Sequence, residues 1–357
     1  MHVVGTARNG QLALDKIAVL APDVITLDIE MPVMDGLTTL RHLRLDYPKM
    51  PVVMFSTLTE RAASATLEAL AAGAADYITK PANVGSVSLT LDAIRSQLLP
   101  KIRALCGRRP DGRAVPERFA APPVGRSGTR PPLTTAHQAL PALGPLITAW
   151  PDTEPFAVLA IGSSTGGPDA LAQILPALGA DLRVPVVIVQ HMPALFTRLF
   201  AQRLDKISPL TVREADDGEL LRASEVLIAP GDFHLSLRRE REGVRTVLSQ
   251  GTPENFCRPA VDVLFQSVAA AYGPRVLAVV LTGMGQDGAR GSERIRSAGG
   301  TVIAQDRATS VVWGMPGAVV AGGLADHVAA LNRVSPTILD LIRSRGLPLN
   351  GTGKALR

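Results

Sequence analysis

Residues 156–167 read Phe-Ala-Val-Leu-Ala-Ile-Gly-Ser-Ser-Thr-Gly-Gly, an apolar run that leads directly into a glycine-rich turn. The residues that follow, 168–177, have the apolar spacing of a helix. A G-x-S-x-G turn between a strand and a helix can hold a serine hydroxyl out of the sheet, and the helix start offers free N–H groups to an oxyanion. The stretch therefore makes Ser164 a candidate nucleophile. A glycine loop that binds phosphate or only closes a turn fits the motif equally well.

Two further residues supply what a serine nucleophile needs. A hydroxyl requires a base, and the base requires an acid that orients it. His191 ends the apolar run 184–190, and Asp287 lies between a strand predicted over 276–282 and a helix predicted over 288–298. Because parallel strands bring their carboxyl ends to one edge of the sheet, we expect the two to meet Ser164 there. The alternatives are a surface histidine and a helix-capping aspartate.

The order of these three residues separates the chain from the common α/β-hydrolases. Those enzymes place their residues along the chain as Ser, Asp or Glu, and then His. Here the order is Ser164, His191, Asp287. The G-x-S-x-G motif alone therefore does not assign the chain to that superfamily.

The alternation of apolar runs with helical segments predicts two α/β domains with parallel sheets. The predicted domains cover residues 1–98 and 154–346, and the second is an open, doubly wound, mainly parallel sheet. Residues 99–153 are rich in Pro, Arg and Ala and predict a linker with a helix over 138–149, and residues 347–357 form a polar tail. The remaining strands are predicted over 24–28, 51–56, 75–80, 156–161, 184–190 and 301–305.

The composition of the chain argues against membrane, secreted, metal-binding and nucleic-acid-binding proteins. The 357 residues are 46% hydrophobic and 19% charged, which is typical of globular proteins. No apolar run approaches the ~20 residues of a membrane span, and no secretory signal is present, so we expect a cytoplasmic protein without membrane insertion. Two cysteines offer neither a disulfide framework nor metal-ligand spacing. Between residues 101 and 130 lie eight basic and two acidic residues, so the net charge of +5 resides in the linker. That distribution favours a solvated linker over nucleic-acid binding.

Three polar residues end strands of the first predicted domain: Asp28, Ser56 and Lys80. A carboxylate can accept a phosphoryl group, and a hydroxyl and a lysine can bind the new phosphate oxygens. With the Met-Pro and Asp-Gly pairs that follow Asp28, this half resembles a flavodoxin-like response-regulator receiver. The resemblance implies Asp28 as phosphoacceptor, Ser56 and Lys80 as switch residues, and a chemotaxis histidine kinase as phosphodonor.

The second domain resembles the chemotaxis receptor methylesterase (CheB) family throughout its length. The motifs that carry the resemblance are Ile-Gly-Ser-Ser-Thr-Gly-Gly (161–167), Gln-His-Met-Pro (190–193), Ile-Ala-Pro-Gly-Asp (228–232), Arg-Pro-Ala-Val-Asp-Val-Leu-Phe (258–265) and Leu-Thr-Gly-Met-Gly-Gln-Asp-Gly (281–288). The resemblance implies a triad of Ser164, His191 and Asp287, with Thr165 and the Met284 N–H at the oxyanion site. It also implies hydrolysis of glutamate γ-methyl esters and deamidation of glutamines on methyl-accepting chemoreceptors, without a cofactor for hydrolysis.

The chain departs from these families in two places. Cys257 stands where methylesterases commonly have histidine, and we expect it to affect the groove rather than the chemistry. The receiver lacks its first βα unit, because residues 3–7 look like the family's second strand. The acidic pair that holds Mg²⁺ with Asp28 is missing with that unit, which leaves the metal site incomplete. Either the true start lies upstream or the receiver is damaged, and we expect the chain as written to be phosphorylated inefficiently.

Two other functions remain open from sequence. A response regulator could instead bind DNA or a partner protein through its basic linker. The second domain could also be an esterase that acts on small metabolites.

Overall fold

The computed structural model describes residues 1–80, 87–106, 154–180 and 182–345. Both predicted α/β domains are present in it, one with a three-stranded and one with a seven-stranded parallel sheet. The helix predicted over 138–149 and the tail predicted over 347–357 lie outside the described residues.

The N-terminal domain is a parallel sheet in the order β1-β2-β3. Its elements are α1 (Gly10–Leu20), β1 (Ile25–Asp28), α2 (Gly36–Asp46), β2 (Val52–Ser56), α3 (Glu60–Ala71), β3 (Asp76–Thr79) and α4 (Val87–Cys106). The side chains of Asn9, Asp35 and Thr59 each accept a backbone N–H at the start of a helix. Gly36 packs so closely on the end of β1 that a Cβ there would lie 2.1 Å from the carbonyl oxygen of Asp28.

Residues 3–7, which look like the second strand of the receiver family, do not form a strand, so that expectation was wrong. Residues 1–7 have no regular secondary structure and are exposed. A strand needs a neighbour to bind its N–H and C=O groups, and β1 pairs only with β2 in the described sheet. The segment joins no described strand, although the carbonyl of Thr6 accepts a hydrogen bond from Lys16 Nζ at 2.7 Å.

Helix α4 continues past the predicted domain boundary at residues 98 and 99 and ends at Cys106. Two contacts hold its last turns to the domain. Lys101 forms an ion pair with Asp76 at 2.6 Å, and Leu105 is buried in a cluster with Val53 and Ile78. The basic charge of Lys101 therefore belongs to the folded domain, whereas the sequence pattern placed it in the linker.

The C-terminal domain has a seven-stranded sheet in the order β12-β11-β10-β4-β5-β7-β6, with all neighbours parallel, and a separate antiparallel pair of β8 with β9. Its strands are β4 (Val158–Ser163), β5 (Val186–Gln190), β6 (Thr211–Glu214), β7 (Glu225–Ile228), β8 (His234–Glu240), β9 (Gly243–Ser249), β10 (Val276–Val280), β11 (Thr301–Gln305) and β12 (His327–Ala329). Its helices are α5 (Gly167–Leu178), α6 (Ala194–Ile207), α7 (Val261–Tyr272), α8 (Ala289–Ser297), α9 (Met315–Ala321) and α10 (Leu331–Ser344).

The central strands of this sheet are buried on both faces. Along β4, Leu159 and Ile161 belong to one apolar cluster, while Val158 and Ala160 belong to a second cluster on the opposite face. This double burial explains why these strands read as continuous apolar runs in the sequence. The chain winds outward from β4 in one direction through β5 and in the other through β10, so the direction reverses between β4 and β10. Open α/β sheets bind their ligands beside such a reversal, at the carboxyl ends of the strands.

The two domains pack against each other through α3, which contacts α5 and α6. The rings of Tyr77 and Phe196 stack across this boundary, with centroids 4.6 Å apart and planes 17° from parallel. Glu60 and Arg198 form an ion pair across the same boundary. One apolar cluster includes residues of both domains, so the N-terminal domain lies against the same face of the seven-stranded sheet as α5 and α6.

Candidate active site at the carboxyl edge of the seven-stranded sheet

The structure brings the three predicted catalytic residues to one edge of the sheet. Ser164 follows β4, His191 follows β5, and Asp287 follows β10, three strands that lie side by side in the order β10-β4-β5. Ser164 and His191 directly follow their strands, and Asp287 lies between β10 and α8, as predicted. The edge is the one at which the chain reverses direction, which is where a ligand site is expected.

His191 and Asp287 are in direct contact. His191 Nε2 lies 2.8 Å from Asp287 Oδ2, and the Asp287 side chain is only 2% exposed. Burial of His191 disfavours its charged form, but the hydrogen bonds and charges of Asp287 and Cys257 outweigh burial and raise the pKa of His191 to about 9. Burial also opposes the ionisation of Asp287, yet His191 and backbone N–H groups hold the pKa of that carboxyl below its ordinary value. The pair thus favours an ionised acid beside a protonated imidazole.

The carboxylate of Asp287 is held by the start of α7. The backbone N–H of Val261 donates to Oδ2 at 2.7 Å, and that of Asp262 donates to Oδ1 at 3.0 Å. Asn255 Nδ2 donates to the same Oδ1 at 2.8 Å. These donors, together with the helix dipole, stabilise the negative charge and fix the plane of the carboxylate.

A second buried acid supports the first. Asp262 is 1% exposed; its Oδ1 accepts the N–H groups of Gly288 and Gly291 at 3.0 and 2.7 Å. Asn255 Nδ2 also donates to Asp262 Oδ2 at 2.9 Å and so bridges the two carboxylates. Asp287, just before α8, thus binds the start of α7, while Asp262 in α7 binds the start of α8. Sequence reasoning missed both Asn255 and Asp262, although Asp262 lies in one of the motifs quoted above.

The turn that carries Ser164 is held by close backbone contacts. Ser164 N–H donates to the carbonyl of Thr282 at 3.1 Å, and Gln190 Nε2 donates to the carbonyl of Ser164 at 3.0 Å. A Cβ at Gly283 would lie 2.9 Å from Ser164 Cβ, so that position leaves no room for a side chain. Ser164 is half-buried, and in the described part of the chain no hydrogen bond joins its hydroxyl to His191. Such bonds are often long before substrate binds.

Of the two residues predicted for the oxyanion site, Thr165 bonds directly to the N-terminal domain, and Met284 packs against a cluster shared by both domains. Thr165 Oγ1 donates to Asp76 Oδ2 at 2.5 Å. Asp76 Oδ2 also forms an ion pair with Lys101 Nζ at 2.6 Å. The Met284 side chain packs against the apolar cluster that contains Ile78 of β3. No pattern in the sequence identified Asp76, because an acid within an apolar strand carries no motif.

A cavity of about 580 Å³ lies between the two domains at this edge. Ser164, His191 and Cys257 line one side, and Asp76 and Lys101 of the receiver line the other. Cys257 Sγ lies 3.5 Å from His191 Nδ1, the ring nitrogen that does not face Asp287. Ser164 and His191 therefore border a cavity that the N-terminal domain partly closes.

The predicted phosphorylation residues are only partly brought together. Lys80 Nζ lies 2.5 Å from Asp28 Oδ2. Ser56 is buried, and its hydroxyl donates to the carbonyls of Thr57 and Ala62 and accepts from Thr66 Oγ1 at 2.7 Å. Its side chain is therefore engaged with α3 and not with Asp28, because burial requires a partner for the hydroxyl.

The described residues do not form a Mg²⁺ site of the receiver kind. Among them, no group of three or more His, Cys, Asp or Glu side chains is arranged to hold a metal ion. The carboxylate of Asp28 is instead paired with Lys80. Among the described helices, none is both long enough and apolar enough to cross a membrane.

Comparison with known proteins agrees with the geometry. The family model "CheB methylesterase" matches residues 159–338, and "Response regulator receiver domain" matches residues 1–91. A protein-glutamate methylesterase/protein-glutamine glutaminase of Nocardioides sp. is 52% identical over 340 residues, which span 95% of this chain and 88% of the relative. One of the same name from Trichodesmium erythraeum is 48% identical over 339 residues, 95% of this chain and 91% of the relative.

The C-terminal domain also resembles a solved structure. The crystal structure of the Thermotoga maritima CheB methylesterase catalytic domain is 44% identical, with a TM-score of 0.51, and the similarity covers 53% of this chain and 98% of that one. The predicted α/β fold of both domains and the predicted resemblance are thereby confirmed. From its sheet edge and its relatives alike, this chain belongs to the CheB methylesterase family.

Proposed function

We propose that this chain hydrolyses glutamate γ-methyl esters on methyl-accepting chemoreceptors and deamidates glutamines on them, with Ser164 as nucleophile. The observation that carries the proposal is the 2.8 Å contact of His191 with Asp287 at the sheet edge where β4 delivers Ser164. The relatives named above are methylesterase/glutaminases over nearly the whole chain length.

We infer a separate role for each ring nitrogen of His191. Nε2 faces Asp287, so Nδ1 is the atom that takes the proton as Ser164 Oγ attacks the ester carbonyl. His191 then returns that proton to the methoxy oxygen. The ester C–O bond breaks, methanol leaves, and an acyl-enzyme remains on Ser164. Water, activated by the same nitrogen, then frees the glutamate. With a glutamine substrate the leaving group is ammonia. These side chains and water suffice for the reaction, without a cofactor.

The oxyanion of each tetrahedral intermediate forms next to the start of α5. We assign its stabilisation to the Met284 N–H and to Thr165, which follows the nucleophile directly. In the present arrangement the Thr165 hydroxyl donates to Asp76 of the receiver. The docked receiver thus occupies a group that the reaction uses.

We further propose that phosphorylation of Asp28 by a chemotaxis histidine kinase regulates this docking. The Lys80 ammonium, 2.5 Å from Asp28, is placed to neutralise a phosphoryl group there. Lys80 follows β3, the strand that also carries Asp76 and Tyr77, so a change at Asp28 acts on the element that meets the esterase. Because receptor cytoplasmic helices are the substrate, the protein would act in the cytoplasm.

A DNA-binding or protein-binding output is not favoured, because the methylesterase family model covers the output domain. The alternative of an esterase for small metabolites differs from the proposal in its substrate. Its active site would release methanol from small methyl esters and none from receptor helices.

The decisive experiment measures methanol release from a methylated receptor cytoplasmic fragment. Wild type should release methanol, and Ser164→Ala should lose up to about a millionfold in turnover. Ser236→Ala is a matched control, because that hydroxyl only bonds the Val247 carbonyl in the β8–β9 pair. Equal activity of Ser164→Ala and wild type would refute the triad. Activity on small esters alone would favour the metabolite esterase.

A further inference from the structure

Cys257 completes a second nucleophile–base–acid arrangement in the active site. Its Sγ lies 3.5 Å from His191 Nδ1, while Nε2 of the same ring lies 2.8 Å from Asp287 Oδ2. A nucleophile within reach of a base that is itself oriented by an acid is the arrangement of an activated side chain. The thiol and the Ser164 hydroxyl therefore compete for one nitrogen of His191.

The environment of Cys257 suits a reactive thiolate. A thiol becomes nucleophilic when it transfers its proton, and a nearby imidazolium stabilises the thiolate. Here the ionised Asp287 favours the imidazolium form of His191, which can hold the proton released by the thiol. Cys257 is half-buried and lines the cavity of about 580 Å³, so a small molecule in that cavity reaches the sulfur.

The chain offers an internal comparison in its second cysteine. Cys106, at the end of α4, is also half-buried. Burial and the charge of Asp23 raise the pKa of the Cys106 thiol, which makes its thiolate less available. Exposure alone would therefore give the two thiols similar reactivity, and the contact with His191 sets Cys257 apart.

We propose that Cys257 is an oxidation site at which a hydroperoxide switches off the esterase. The thiolate attacks one oxygen of the peroxide, an S–O bond forms and the O–O bond breaks. The departing oxygen leaves as hydroxide or alkoxide and takes the proton from His191, which gives water or an alcohol. Sulfur is oxidised to a sulfenic acid and the hydroperoxide is reduced.

The modification would act on the base that Ser164 needs. A sulfenic acid at Cys257 places an oxygen beside His191 Nδ1, where it can donate a hydrogen bond to the nitrogen that must accept the serine proton. Its bulk also enters the cavity that the substrate side chain must use. A thiol reductant returns the sulfenic acid to the thiol and restores the site. The effect on ester hydrolysis rests on the proposed function, whereas the reactivity of Cys257 does not.

The test treats the full chain with hydrogen peroxide, traps sulfenic acid with dimedone and locates it by peptide mass spectrometry. We expect Cys257 to be labelled at least about tenfold faster than Cys106, because His191 Nδ1 lies within reach to take the proton of its thiol. The variant His191→Gln should reduce the rate at Cys257 towards that at Cys106. Equal labelling of the two cysteines in wild type, or an unchanged rate in His191→Gln, would overturn the proposal.

Activity is followed in parallel on the receptor fragment. Wild type should lose methanol release with the time course of Cys257 labelling and regain it with dithiothreitol. The variant Cys257→Ala, whatever its starting activity, should keep its fraction of activity through the same treatment, and Cys106→Ala should behave as wild type. Equal inactivation of Cys257→Ala would refute the switch. If labelling is selective but no methanol is released before treatment, the oxidation site stands and the proposed function fails.

Discussion

The hydroxyl of Thr165 donates a hydrogen bond of 2.5 Å to Asp76 Oδ2 and so joins the residue after the nucleophile to the receiver domain. Lys101 Nζ binds the same carboxylate oxygen at 2.6 Å. Asp76 is 5% exposed, so water competes little for these contacts. The bond links the proposed esterase site to β3, the strand that precedes Lys80. A substitution at Asp76 should therefore weaken the docking of the receiver on the esterase domain.

Replacement of Asp76 by asparagine should raise methylesterase activity in the absence of phosphorylation. The change keeps the shape of the side chain but removes the charge that holds Lys101 and Thr165. A hydrogen bond to a charged group contributes about 1.5–3 kcal/mol, so the docking equilibrium should shift by roughly 10- to 150-fold. Methanol release by the unphosphorylated protein is the measurement.

The matched control for Asp76→Asn is Glu60→Gln. Glu60 pairs with Arg198 across the same domain boundary, but both side chains are exposed by half or more. Such exposed pairs contribute about 0–1 kcal/mol, so activation should be less than about fivefold. A folded Asp76→Asn protein with wild-type activity would contradict the assigned role of this contact.

The pH dependence of the esterase should reflect the environment of His191. The base must be neutral to accept a proton, so a pKa raised to about 9 moves the acid limb of kcat/KM upward from the ordinary value of histidine. Cys257→Ala removes one of the two partners that raise this pKa, and the limb should move to lower pH. Cys106→Ala should leave it in place. An identical limb in wild type and Cys257→Ala would show that the thiol does not influence the base.

Asn255 should be a positioning residue for Asp287. Asn255→Ala removes the N–H donor that bridges the carboxylates of Asp287 and Asp262, which leaves two buried charges less well bound. Loss of a hydrogen bond to a charged group costs about 1.5–3 kcal/mol, so kcat should fall roughly 10- to 150-fold with little change in KM. Gln250→Ala, which removes an exposed bond to Asp232, serves as the control. A rise in KM alone would mean that Asn255 contacts substrate instead.

Phosphorylation of Asp28 in the 357-residue chain should be slow. The described residues place Lys80 at Asp28 but supply no group of three acidic or other metal-ligating side chains around it. We expect far less than one phosphate per chain after incubation with acetyl phosphate and Mg²⁺, measured by intact mass, and none in Asp28→Asn. Stoichiometric, Mg²⁺-dependent labelling of wild type would refute this expectation.

Sequence patterns were most informative where burial is continuous. The strand predicted over 301–305 has the observed bounds of β11. Ser164 and His191 directly follow their strands, and Asp287 lies between β10 and α8, as predicted. Parallel strands buried on both faces produce long apolar runs, and the polar residue that ends such a run is conspicuous. The sequence pattern alone therefore indicated the sheet edge at which these three residues lie.

Contacts between distant segments were not predictable from these patterns. Asn255 lies in an irregular segment that shows no hydrophobic periodicity, yet its side chain bonds both Asp262 and Asp287. The cysteine at position 257 was recognised as a departure, but its approach to His191 depends on how the segment after β9 returns to the sheet edge. Ser56 was expected at Asp28, and only the packing of α3 shows that its hydroxyl turns to Thr66. Spacing along a chain does not encode such choices of side-chain direction.

The first peptide groups of α7 hold Asp287 in place, so the proposed site has one rigidly held side and one adjustable side. Backbone N–H groups have no rotamers. The buried start of α7 therefore fixes the position of the Asp287 carboxylate and, through it, that of His191 Nε2. The nucleophile's side is different, because the Thr165 hydroxyl can turn from one acceptor to another. Changes in the receiver can therefore alter the contact of Thr165 with Asp76, while the hydrogen bond by which Asp287 orients His191 stays unaltered. In such an enzyme, the strength of control can evolve separately from the chemistry it controls.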